Sequence, residues 1–409
     1  MIFNTSTNNN DDNLTSISNE TKPLPPTPPI LDFRHHHNQE LFNLIVKYAE
    51  SYPHIARHYT IGNSTEGYPL MVIEISDNPG QHEPGEPEMK LVGNIHGNEV
   101  VGRELLLYLI DFLLKNYERN QAVRSLVNNV RLHILPSLNP DGYAIANMGD
   151  CDGVIGRANA NQIDLNRNFP DQFASAQMDP LELETQSIIN WTKSIPFVLS
   201  LSLHGGALVV NYPFDTNLKS INRYTSCPDD ETFRYLALLY SKTHPQMPLG
   251  NCTDSCASFE YNEHFKDGIT NGAAWYPITG GMQDWNYINA NCFELTIELG
   301  CSKYPLSKNL KQYWDNNLDS IIKLINAVHI GVSGFVIDSN GSPIEGAIIS
   351  VVGIDKNVTT HKMGDYWRLL TPNKRYTVTA SKDGFHSSTY NIELDQIGQY
   401  KLNFTLILE

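Results

Sequence analysis

A histidine and a glutamate three residues apart follow an apolar segment and could bind one metal ion. The segment 91–95 is typical of a buried strand, and His96 and Glu99 come shortly after it. Neutral imidazole nitrogens and carboxylate oxygens are ordinary zinc ligands. Because a His-x-x-Glu pattern also arises often by chance, these two residues alone do not establish a metal site.

A second strand-like segment, residues 197–203, also ends at a histidine, His204, which two glycines follow. Functional groups gather at the carboxyl ends of the strands in an open α/β sheet. We therefore expect the two strand ends to lie side by side, which makes His204 a third candidate ligand.

Two arginines, Arg157 and Arg167, lie in a polar segment between the candidate ligand strands. A guanidinium group binds a carboxylate through two parallel hydrogen bonds, and it can also stabilise an oxyanion. The alternative is that both arginines form weak surface ion pairs with Asp152, Asp164 or Asp171. The nearby candidate metal ligands favour the first interpretation.

A glycine-rich segment, residues 269–284, contains the aromatic pair Trp275 and Tyr276. One interpretation is a flap that closes over a cavity, with the Tyr276 hydroxyl as a hydrogen-bond donor. The other interpretation is an aromatic plug on the core. The residues themselves leave both open.

The strand-like segment 293–299 carries three polar residues in a two-residue period. This spacing places Glu294, Thr296 and Glu298 on one face of the strand. Glu298 lies at the carboxyl end of the segment, which is a suitable position for a general base. A strand whose polar face meets solvent is the alternative explanation.

The order of the predicted elements favours two domains. Helical and strand-like patterns alternate over residues 36–329, which predicts an α/β domain with a mixed, twisted sheet flanked by helices. From Gly331 short strands are separated by turn signals, which predicts a small all-β sandwich over residues 330–409. The predicted helices are 39–48, 103–117, 181–194, 230–243 and 308–328, and the predicted strands are 58–61, 70–75, 91–95, 130–135, 197–203 and 293–299, followed in the sandwich by 332–337, 347–352, 366–370, 376–380 and 400–406.

Residues 1–35 are rich in Asn, Ser, Thr and Pro. Such a composition buries too little apolar surface to offset the entropy lost on ordering, so we predict a disordered tail. Three adjacent histidines, His35, His36 and His37, stand at its end, and we predict that they form a solvated run and not a metal site.

The composition excludes some classes of partner. The chain has 409 residues, of which 41% are hydrophobic and 18% charged, and its formal net charge is −16. Nucleic acid is excluded because phosphate binding needs clustered Lys and Arg, and a cationic ligand suits this charge better. No segment reaches the roughly 18 apolar residues of a membrane-spanning helix. We expect a monomer.

The cysteines and glycosylation motifs favour an oxidising compartment. Four of the six cysteines, Cys252, Cys256, Cys292 and Cys301, lie within 50 residues, which suits one or two disulfides. A zinc site is the weaker alternative because the Cys252–Cys256 pair has no second close pair. The N-terminus lacks the apolar core of a signal peptide, so we expect a secreted or luminal protein whose signal is not visible in this chain. Asn-x-Ser/Thr acceptors occur at Asn4, Asn13, Asn19, Asn63, Asn190, Asn251, Asn340, Asn357 and Asn403.

Five motifs in one order resemble the zinc metallocarboxypeptidases, and in particular their regulatory branch of carboxypeptidases N, E, M and D. The resemblance covers residues 36–409, because that branch has a transthyretin-like β-sandwich behind its catalytic domain. It implies the metallocarboxypeptidase fold and an exopeptidase that hydrolyses the C-terminal peptide bond. The motifs are His96-Gly-Asn-Glu99, Asn166-Arg167-Asn168, His204-Gly-Gly, the stretch from Trp275-Tyr276 to Gln283-Asp284, and Glu298.

The resemblance also implies a role for each site residue. One Zn²⁺ per chain would be held by His96, Glu99 and His204, with a fourth position left open as in catalytic zinc sites. Glu298 would be the general base, and Arg157 would polarise the scissile carbonyl. Asn166 and Arg167 would bind the substrate's terminal carboxylate. Tyr276 would close over the terminal residue.

In this branch an Asp and a Gln line the pocket for the terminal side chain and select Arg or Lys. The matching residues are Asp215 and Gln283. A carboxylate that faces a cationic side chain discriminates against neutral residues, so the expected partners are peptides and proteins that end in Arg or Lys. One departure is Cys301-Ser302, where many relatives have adjacent cysteines, and it leaves the disulfide partner of Cys151 open.

Two other functions fit part of the pattern. A catalytically inactive, peptide-binding member of the same fold would have lost site residues, whereas every expected residue is present here. An intracellular carboxypeptidase that trims acidic tails fits the missing signal but neither the β-sandwich nor Asp215. The sequence therefore favours an active metallocarboxypeptidase of B-type specificity.

Overall fold

The computed structural model describes residues 26–173, 180–252, 256 and 263–409. Within this part of the chain, a first domain of helices around one mixed sheet is followed by an all-β domain. The predicted fold class is therefore confirmed. Residues 1–25, which make up most of the predicted disordered tail and include the acceptors Asn4, Asn13 and Asn19, lie outside the described residues.

The predicted helices 103–117, 181–194, 230–243 and 308–328 are present, and their ends differ from the prediction by at most two residues. The helices of the first domain are α1 Asn38–Ser51, α2 Val101–Asn116, α3 Gln121–Val127, α4 Pro140–Ile145, α5 Leu183–Ser194, α6 Asp230–Ser241, α7 Gly272–Trp275, α8 Met282–Asn289 and α9 Leu310–Asn326. Its strands are β1 Ala56–Asn63, β2 Pro69–Ile75, β3 Glu88–Gly93, β4 Arg131–Leu135, β5 Phe197–His204, β6 Ala207–Tyr212, β7 Ile269–Asn271 and β8 Phe293–Gly300.

The sheet brings together the strand that precedes His96 and the strand that ends at His204. Its strand order is β1-β2-β4-β3-β5-β8-β6-β7, and β4, β3, β5 and β8 run parallel to one another. All residues of these four strands are buried, because helices cover both faces of the sheet. Parallel strands end at a common edge, so the residues after β3, β5 and β8 meet there, as predicted for the first two.

Helix α2 fixes the position of the segment that follows β3. Its apolar side chains at Leu105, Leu109 and Leu113 are fully buried in the main core, which matches their helical spacing. Gly102 allows the helix to approach β5 closely, since a Cβ atom there would lie 2.5 Å from the Cβ of Leu203. The start of α2 is therefore held against the strand that ends at His204.

The second domain consists of two packed sheets. One has the strand order β11-β10-β13-β15, and the other has β12-β9-β17-β14, with β16 paired to β9. The prediction missed β11 and β15 because their residues are largely exposed and polar, and it merged β16 with β17. The strands are β9 Gly331–Asp338, β10 Ile348–Val351, β11 Ile354–Thr359, β12 Asp365–Arg368, β13 Lys374–Ser381, β14 Phe385–His386, β15 Ser388–Leu394, β16 Gln399–Lys401 and β17 Phe404–Leu408.

The two domains share a packed interface. Trp367 and Leu369 from the second domain belong to the main core of the first. Arg368 Nη2 lies 2.7 Å from Asp229 Oδ1, and both side chains are fully buried. Because an unpaired charge would be costly at this depth, the pair fixes how β12 meets α6.

The prediction of a solvated histidine run is wrong for two of its three residues. His35 and His36 are 7% and 2% exposed. The His36 Nδ1 lies 2.7 Å from Glu104 Oε2 on α2, and the His35 Nε2 lies 2.8 Å from the carbonyl oxygen of Pro305. Ordered packing of the chain therefore includes residues just before 36.

Two disulfides form among the described residues, but Cys292 takes part in neither of them. Disulfides join Cys151 to Cys256 and Cys252 to Cys301, so the partner that the sequence left open for Cys151 is Cys256. Cys292, which the sequence grouped with the bonded cysteines, is buried and unpaired. Its depth among apolar residues of the core explains why no second thiol reaches it.

None of the helices in the described part of the chain combines the length and the apolar character needed to cross a bilayer. The six glycosylation acceptors that fall in this part of the chain are all exposed, as glycosylation requires. They are Asn63, Asn190, Asn251, Asn340, Asn357 and Asn403.

Candidate active site

Three metal-ligating side chains meet at the carboxyl ends of β3 and β5. His96 and Glu99 follow β3, His204 ends β5, and Gly93 pairs with Leu203 between the two strands. Each of the three residues is 3% exposed. The Nδ1 atoms of His96 and His204 both lie 3.0 Å from Glu99 Oε2, and the donor atoms lie within 4.8 Å of one another. Two imidazoles and a carboxylate at this spacing fit a single zinc ion.

The turn after β3 is shaped by Asn94. Its backbone has φ 61°, a left-handed conformation that Asn tolerates better than most residues. Its Nδ2 donates to the carbonyl oxygens of His96, Gly97 and Glu99 at 2.9, 2.8 and 3.2 Å. Gly97 is required because a Cβ atom there would lie 2.3 Å from the backbone nitrogen of Tyr143. Local sequence therefore turns both candidate ligands toward β5.

Groups behind the two imidazoles fix their orientation. The His96 Nε2 lies 3.0 Å from Asp164 Oδ1, and the His204 Nε2 lies 3.0 Å from Ser202 Oγ. A carboxylate can only accept, so the His96 Nε2 carries the proton, and with a metal bound the Nδ1 would present its lone pair to the ion. Burial alone would raise the pKa of Asp164, but His96 and the nearby arginines hold it well below its usual range.

Glu298 lies beside the candidate ligands on β8, where it pairs with His204 across the parallel strands. It is 7% exposed, so the interpretation of β8 as a solvent-facing strand is wrong. Its Oε2 is buried with no hydrogen-bond partner among the described residues. Burial raises the pKa of Glu298 well above its ordinary value, and the charge of Glu99 raises it further. Such a carboxylate is poised to take up a proton.

The neighbouring Glu294 has a structural role instead. It is fully buried, and its Oε2 accepts hydrogen bonds from Ser200 Oγ at 2.6 Å and Asn286 Nδ2 at 2.7 Å. The two-residue period therefore places both glutamates on one face, but only Glu298 reaches the cavity.

Arg157 and Arg167 both line the cavity. Arg157 bridges two carboxylates, with Nη1 3.1 Å from Glu99 Oε1 and Nη2 3.0 Å from Asp164 Oδ2. The ion pair with Asp164 that we considered as an alternative therefore exists, but it lies inside the site and not on a distant surface. Arg167 Nη1 donates to the carbonyl oxygen of Asn166 at 2.9 Å.

The amide of Asn166 also faces the cavity. Its Oδ1 accepts from the backbone nitrogen of Met282 at 2.9 Å, which leaves the Nδ2 donor on the other side of the amide plane. Its backbone nitrogen donates to Asp164 Oδ1 at 2.9 Å. Asp164 thus supports a ligand, an arginine and an asparagine together.

Asp215 forms part of another wall of the same cavity and is 2% exposed. Its Oδ1 accepts from Asn211 Nδ2 and Gln283 Nε2, each at 3.0 Å, and its backbone nitrogen donates to the Asp284 carboxylate. Burial raises the pKa of Asp215 to about 6, while the Asn211 hydrogen bond and the charge of Arg167 lower it. The resulting group is a fixed, buried carboxyl aimed at the cavity.

Gln283 occupies a different place from the one predicted. Its side chain is held between Asp215 Oδ1 and the backbone nitrogen of Thr296, which donates to its Oε1 at 2.9 Å. It therefore lies behind Asp215 and not on the cavity wall. Gly272 provides room in front, because a Cβ atom there would lie 1.9 Å from Asp215 Oδ1.

The aromatic pair lies at the mouth of the cavity. Tyr276 is 44% exposed and lines the cavity, so the aromatic-plug interpretation is wrong for this residue. The Trp275 Nε1 donates to the Glu263 carboxylate at 2.9 Å, and the two rings contact edge to face. The segment predicted as a loop contains α7 and the start of α8, and α8 carries Gln283 and Asp284.

Together these residues enclose a cavity of about 270 Å³. Three supporting residues were not identified from sequence as part of the site, namely Asn94, Asn211 and Asp284. Asp164 was considered only as a surface partner. Each acts by holding another group in place, and a single polar residue gives no signal of that role in the sequence. Asn211 and Asp215 are only four residues apart, and this short separation was the one hint in the sequence that their side chains could contact each other.

Comparison with known proteins identifies the family. The family model described as zinc carboxypeptidase matches residues 41–320, and the one described as carboxypeptidase regulatory-like domain matches residues 331–407. The chain belongs to the zinc carboxypeptidase family. The resemblance noted from the five motifs is therefore confirmed.

Curated relatives of the chain include carboxypeptidases of the N and D types. The chain is 51% identical to carboxypeptidase D from Homo sapiens over 96% of its length, which is 28% of that relative. It is 42% identical to the carboxypeptidase N catalytic chain from Homo sapiens, over 91% of this chain and 86% of the relative. The chain thus spans somewhat over a quarter of the length of its carboxypeptidase D relatives.

Solved structures share the fold at low sequence identity. Carboxypeptidase A from Helicoverpa armigera aligns with a TM-score of 0.58 at 18% identity, over 74% of this chain and 75% of the other. Thrombin activatable fibrinolysis inhibitor aligns with a TM-score of 0.56 at 19% identity, over 72% and 75%. These comparisons support the fold alone.

Proposed function

We propose that this protein is a zinc-dependent exopeptidase that releases Arg or Lys from the C-terminus of peptides and proteins. The observation that carries the proposal is one cavity that contains a ligand set for zinc, a buried carboxylate, two guanidinium groups and a second buried carboxyl. Each group has a separate task in the hydrolysis of a terminal peptide bond next to a basic residue.

His96, Glu99 and His204 would hold one Zn²⁺ per chain. When bound, zinc lowers the pKa of water toward about 7 and polarises a carbonyl group. The imidazole nitrogens are set up as ligands, since Asp164 and Ser202 engage the opposite nitrogens.

Glu298 would act as the general base and later as the acid. Its unpartnered Oε2 faces the cavity next to the ligands, so it can accept a proton from the attacking water and deliver it to the leaving amine. The raised pKa favours the first of these transfers, the uptake of the proton from water. Arg157, held by Glu99 and Asp164, would stabilise the oxygen of the scissile carbonyl as negative charge develops on it.

Arg167 and Asn166 would bind the substrate's terminal carboxylate. A guanidinium and an amide donor that face one cavity suit a planar carboxylate. Because an internal peptide bond offers no such charge, this pair restricts cleavage to the last residue. Tyr276, exposed at the cavity mouth, would close over that residue when substrate binds.

Asp215 would select a cationic terminal side chain. It is buried, its position is fixed by three hydrogen-bonding groups, and Gly272 leaves space in front of it. We assign Gln283 to positioning Asp215, since its two polar ends are both engaged. The net charge of −16 would help attract basic peptides.

We place the protein outside the cell or in the lumen of the secretory pathway. The two disulfides and the six exposed glycosylation acceptors support this compartment.

The test uses four peptides that differ only in the last residue, Arg, Lys, Phe or Glu. We expect release of Arg and Lys only, with loss of activity on treatment with a chelator and recovery with zinc. Glu298→Gln should reduce kcat by at least about 10²-fold, in line with general acid–base contributions. Glu50→Gln, which makes the same change at an exposed position on α1, is the matched control.

The alternative is a catalytically inactive, peptide-binding member of the same fold. Zinc-loaded protein that binds the Arg peptide but hydrolyses none of the four would establish this alternative and contradict the proposal. Preferential release of Glu would instead establish a carboxypeptidase for acidic tails.

A further inference from the structure

A second cluster of metal-ligating side chains lies between the two domains. His82 comes from the segment between β2 and β3, His361 from the turn before β12, and Asp365 from the first position of β12. Their ligand atoms lie within 4.8 Å of one another. None of the three residues touches the candidate active site, so the cluster requires its own explanation.

We propose that His82, His361 and Asp365 bind a second divalent cation of the zinc class, which joins the α/β domain to the β-sandwich. Two imidazoles and one carboxylate form a donor set that suits zinc. The proposal is independent of the proposed peptidase activity.

The distances fit one small cation. The His82 Nε2 lies 2.9 Å from Asp365 Oδ2, and the His361 Nδ1 lies 3.9 Å from Asp365 Oδ1. Ligand atoms bound tetrahedrally to zinc at about 2.0–2.2 Å lie about 3.4 Å apart. The two observed spacings involve the two different oxygens of Asp365 and lie on both sides of this value. One ligand atom from each residue lies within 4.8 Å of the others, so the side chains would have to rotate slightly to coordinate one ion.

Two of the polar atoms in the cluster are buried without a hydrogen-bond partner among the described residues. They are His361 Nδ1 and Asp365 Oδ1, and the Asp365 side chain is fully buried. Leaving such atoms unsatisfied costs free energy. Because the two atoms face each other at a distance too long for a hydrogen bond, a cation between them would satisfy both.

The groups behind the cluster resemble the support of a metal site. The His82 Nδ1 lies 2.6 Å from Glu88 Oε1, and the other Glu88 oxygen lies 2.8 Å from His133 Nε2. A carboxylate behind a histidine fixes which nitrogen faces the metal. The backbone nitrogen of Gly85 donates to Asp365 Oδ2 at 3.0 Å and fixes that carboxylate.

The cluster also has a route to solvent. His361 lines a cavity of about 240 Å³ between the domains, together with residues such as Lys193 and Asn291. A buried site needs such a path to exchange metal. The cation could therefore enter after the protein has folded.

A proton is the competing occupant. Burial would lower the pKa of His82, but its hydrogen bonds to Asp365 and Glu88 raise it to about 9. In the absence of metal, a proton on Nε2 thus links His82 to Asp365, and a cation must displace it. A cluster that serves only as a protonated ion pair would bind no metal.

The experiment counts zinc per chain in the full-length protein by mass spectrometry, after equilibration with zinc and removal of the excess. We expect two zinc ions per chain for the wild type and one for His361→Asn, because the variant loses one of the three ligands of the second site. His361 is the best position to change because its Nδ1 makes no hydrogen bond with any described residue. His386→Asn, at an exposed histidine on β14 of the same domain, should retain two.

Thermal unfolding in chelator should give the same midpoint for both variants, which shows that His361→Asn folds. With zinc added, the wild type and His386→Asn should gain a larger upward shift than His361→Asn. The same number of zinc ions in the wild type and in His361→Asn would overturn the proposal. Peptide hydrolysis is measured in parallel, and an inactive protein that still binds two zinc ions would contradict the proposed function but not this site.

Discussion

Asp215→Asn is the most informative change in the cavity. It removes one negative charge and keeps the shape of the side chain. The amide oxygen of Asn can still accept from Asn211 Nδ2 and Gln283 Nε2, which both bond to Asp215 Oδ1 in the present structure. The backbone hydrogen bond to Asp284 is unaffected, so the fold should persist.

The expected magnitude follows from burial. Asp215 is 2% exposed, and a substrate guanidinium placed against it would be largely desolvated. Removing one partner of a buried ion pair costs about 3–5 kcal/mol because the remaining charge stays unpaired. At about 1.4 kcal/mol per factor of ten, kcat/KM for Arg substrates should fall about 140- to 3,700-fold. The value for a Phe substrate should not fall, because a neutral side chain needs no counter-charge.

The assay is kcat/KM for the Arg and Phe peptides with the wild type, Asp215→Asn and Asp319→Asn. Asp319 is an exposed residue on α9, so its variant makes the same change in net charge and controls for long-range steering. An equal loss for both peptides in Asp215→Asn would refute the role of Asp215 in specificity. So would a loss of the same size in Asp319→Asn.

Four further predictions concern the cavity, the domain junction and a disulfide. The pKa of Asp215 is raised to about 6, so kcat/KM for the Arg peptide should fall about tenfold per pH unit below about 6 as the charge is lost; a pH profile with the same acidic limb in Asp215→Asn would contradict this. Gly272→Ala would place a Cβ atom 1.9 Å from Asp215 Oδ1, and kcat/KM for the Arg peptide should decrease more than that for the Phe peptide. The pKa of His82 is raised from 6.5 to about 9, so its ion pairs in metal-free protein should contribute at most about 3 kcal/mol to the free energy of unfolding. This contribution should be fully present below about pH 6.5 and lost as the pH rises through about 9. Urea unfolding in chelator should show the free energies of unfolding of the wild type and His82→Gln converging over this range. Replacing Cys252 and Cys301 by Ser opens a bridge with a sequence separation of 49 and should lower the free energy of unfolding by about 4 kcal/mol, as measured by denaturant titration.

The periodic and apolar parts of the fold could be read from the sequence. Strand β3 is a continuous apolar segment, and helices α2 and α9 have apolar residues at helical spacing, so each sequence favours one type of secondary structure. The missed elements of the first domain are strands β6 and β7 and helices α3, α4, α7 and α8. Helix α8 follows a glycine-rich stretch, and its buried polar residues Gln283 and Asp284 give it little of the pattern that marks an amphipathic helix.

The resemblance to a family assigned a role to nine of the 18 residues that line the cavity, but it could not place Gln283 behind Asp215. A motif names residue types and not the directions of their side chains. The same limit explains Asp164, whose ion pair with Arg157 could be foreseen, whereas its support of His96 and Asn166 could not.

The sequence by itself determined the two-domain order, the strand that precedes His96, the strand that ends at His204, and the family to which the chain belongs. These features are encoded in local patterns and in motifs whose spacing survives without knowledge of the fold. Only the tertiary structure decided that Glu298 lies in the interior, that Cys151 pairs with Cys256, and that His82 meets Asp365. Each of these features depends on residues that are distant in sequence and become neighbours only when the sheets and domains pack. A local sequence pattern contains no information about that packing.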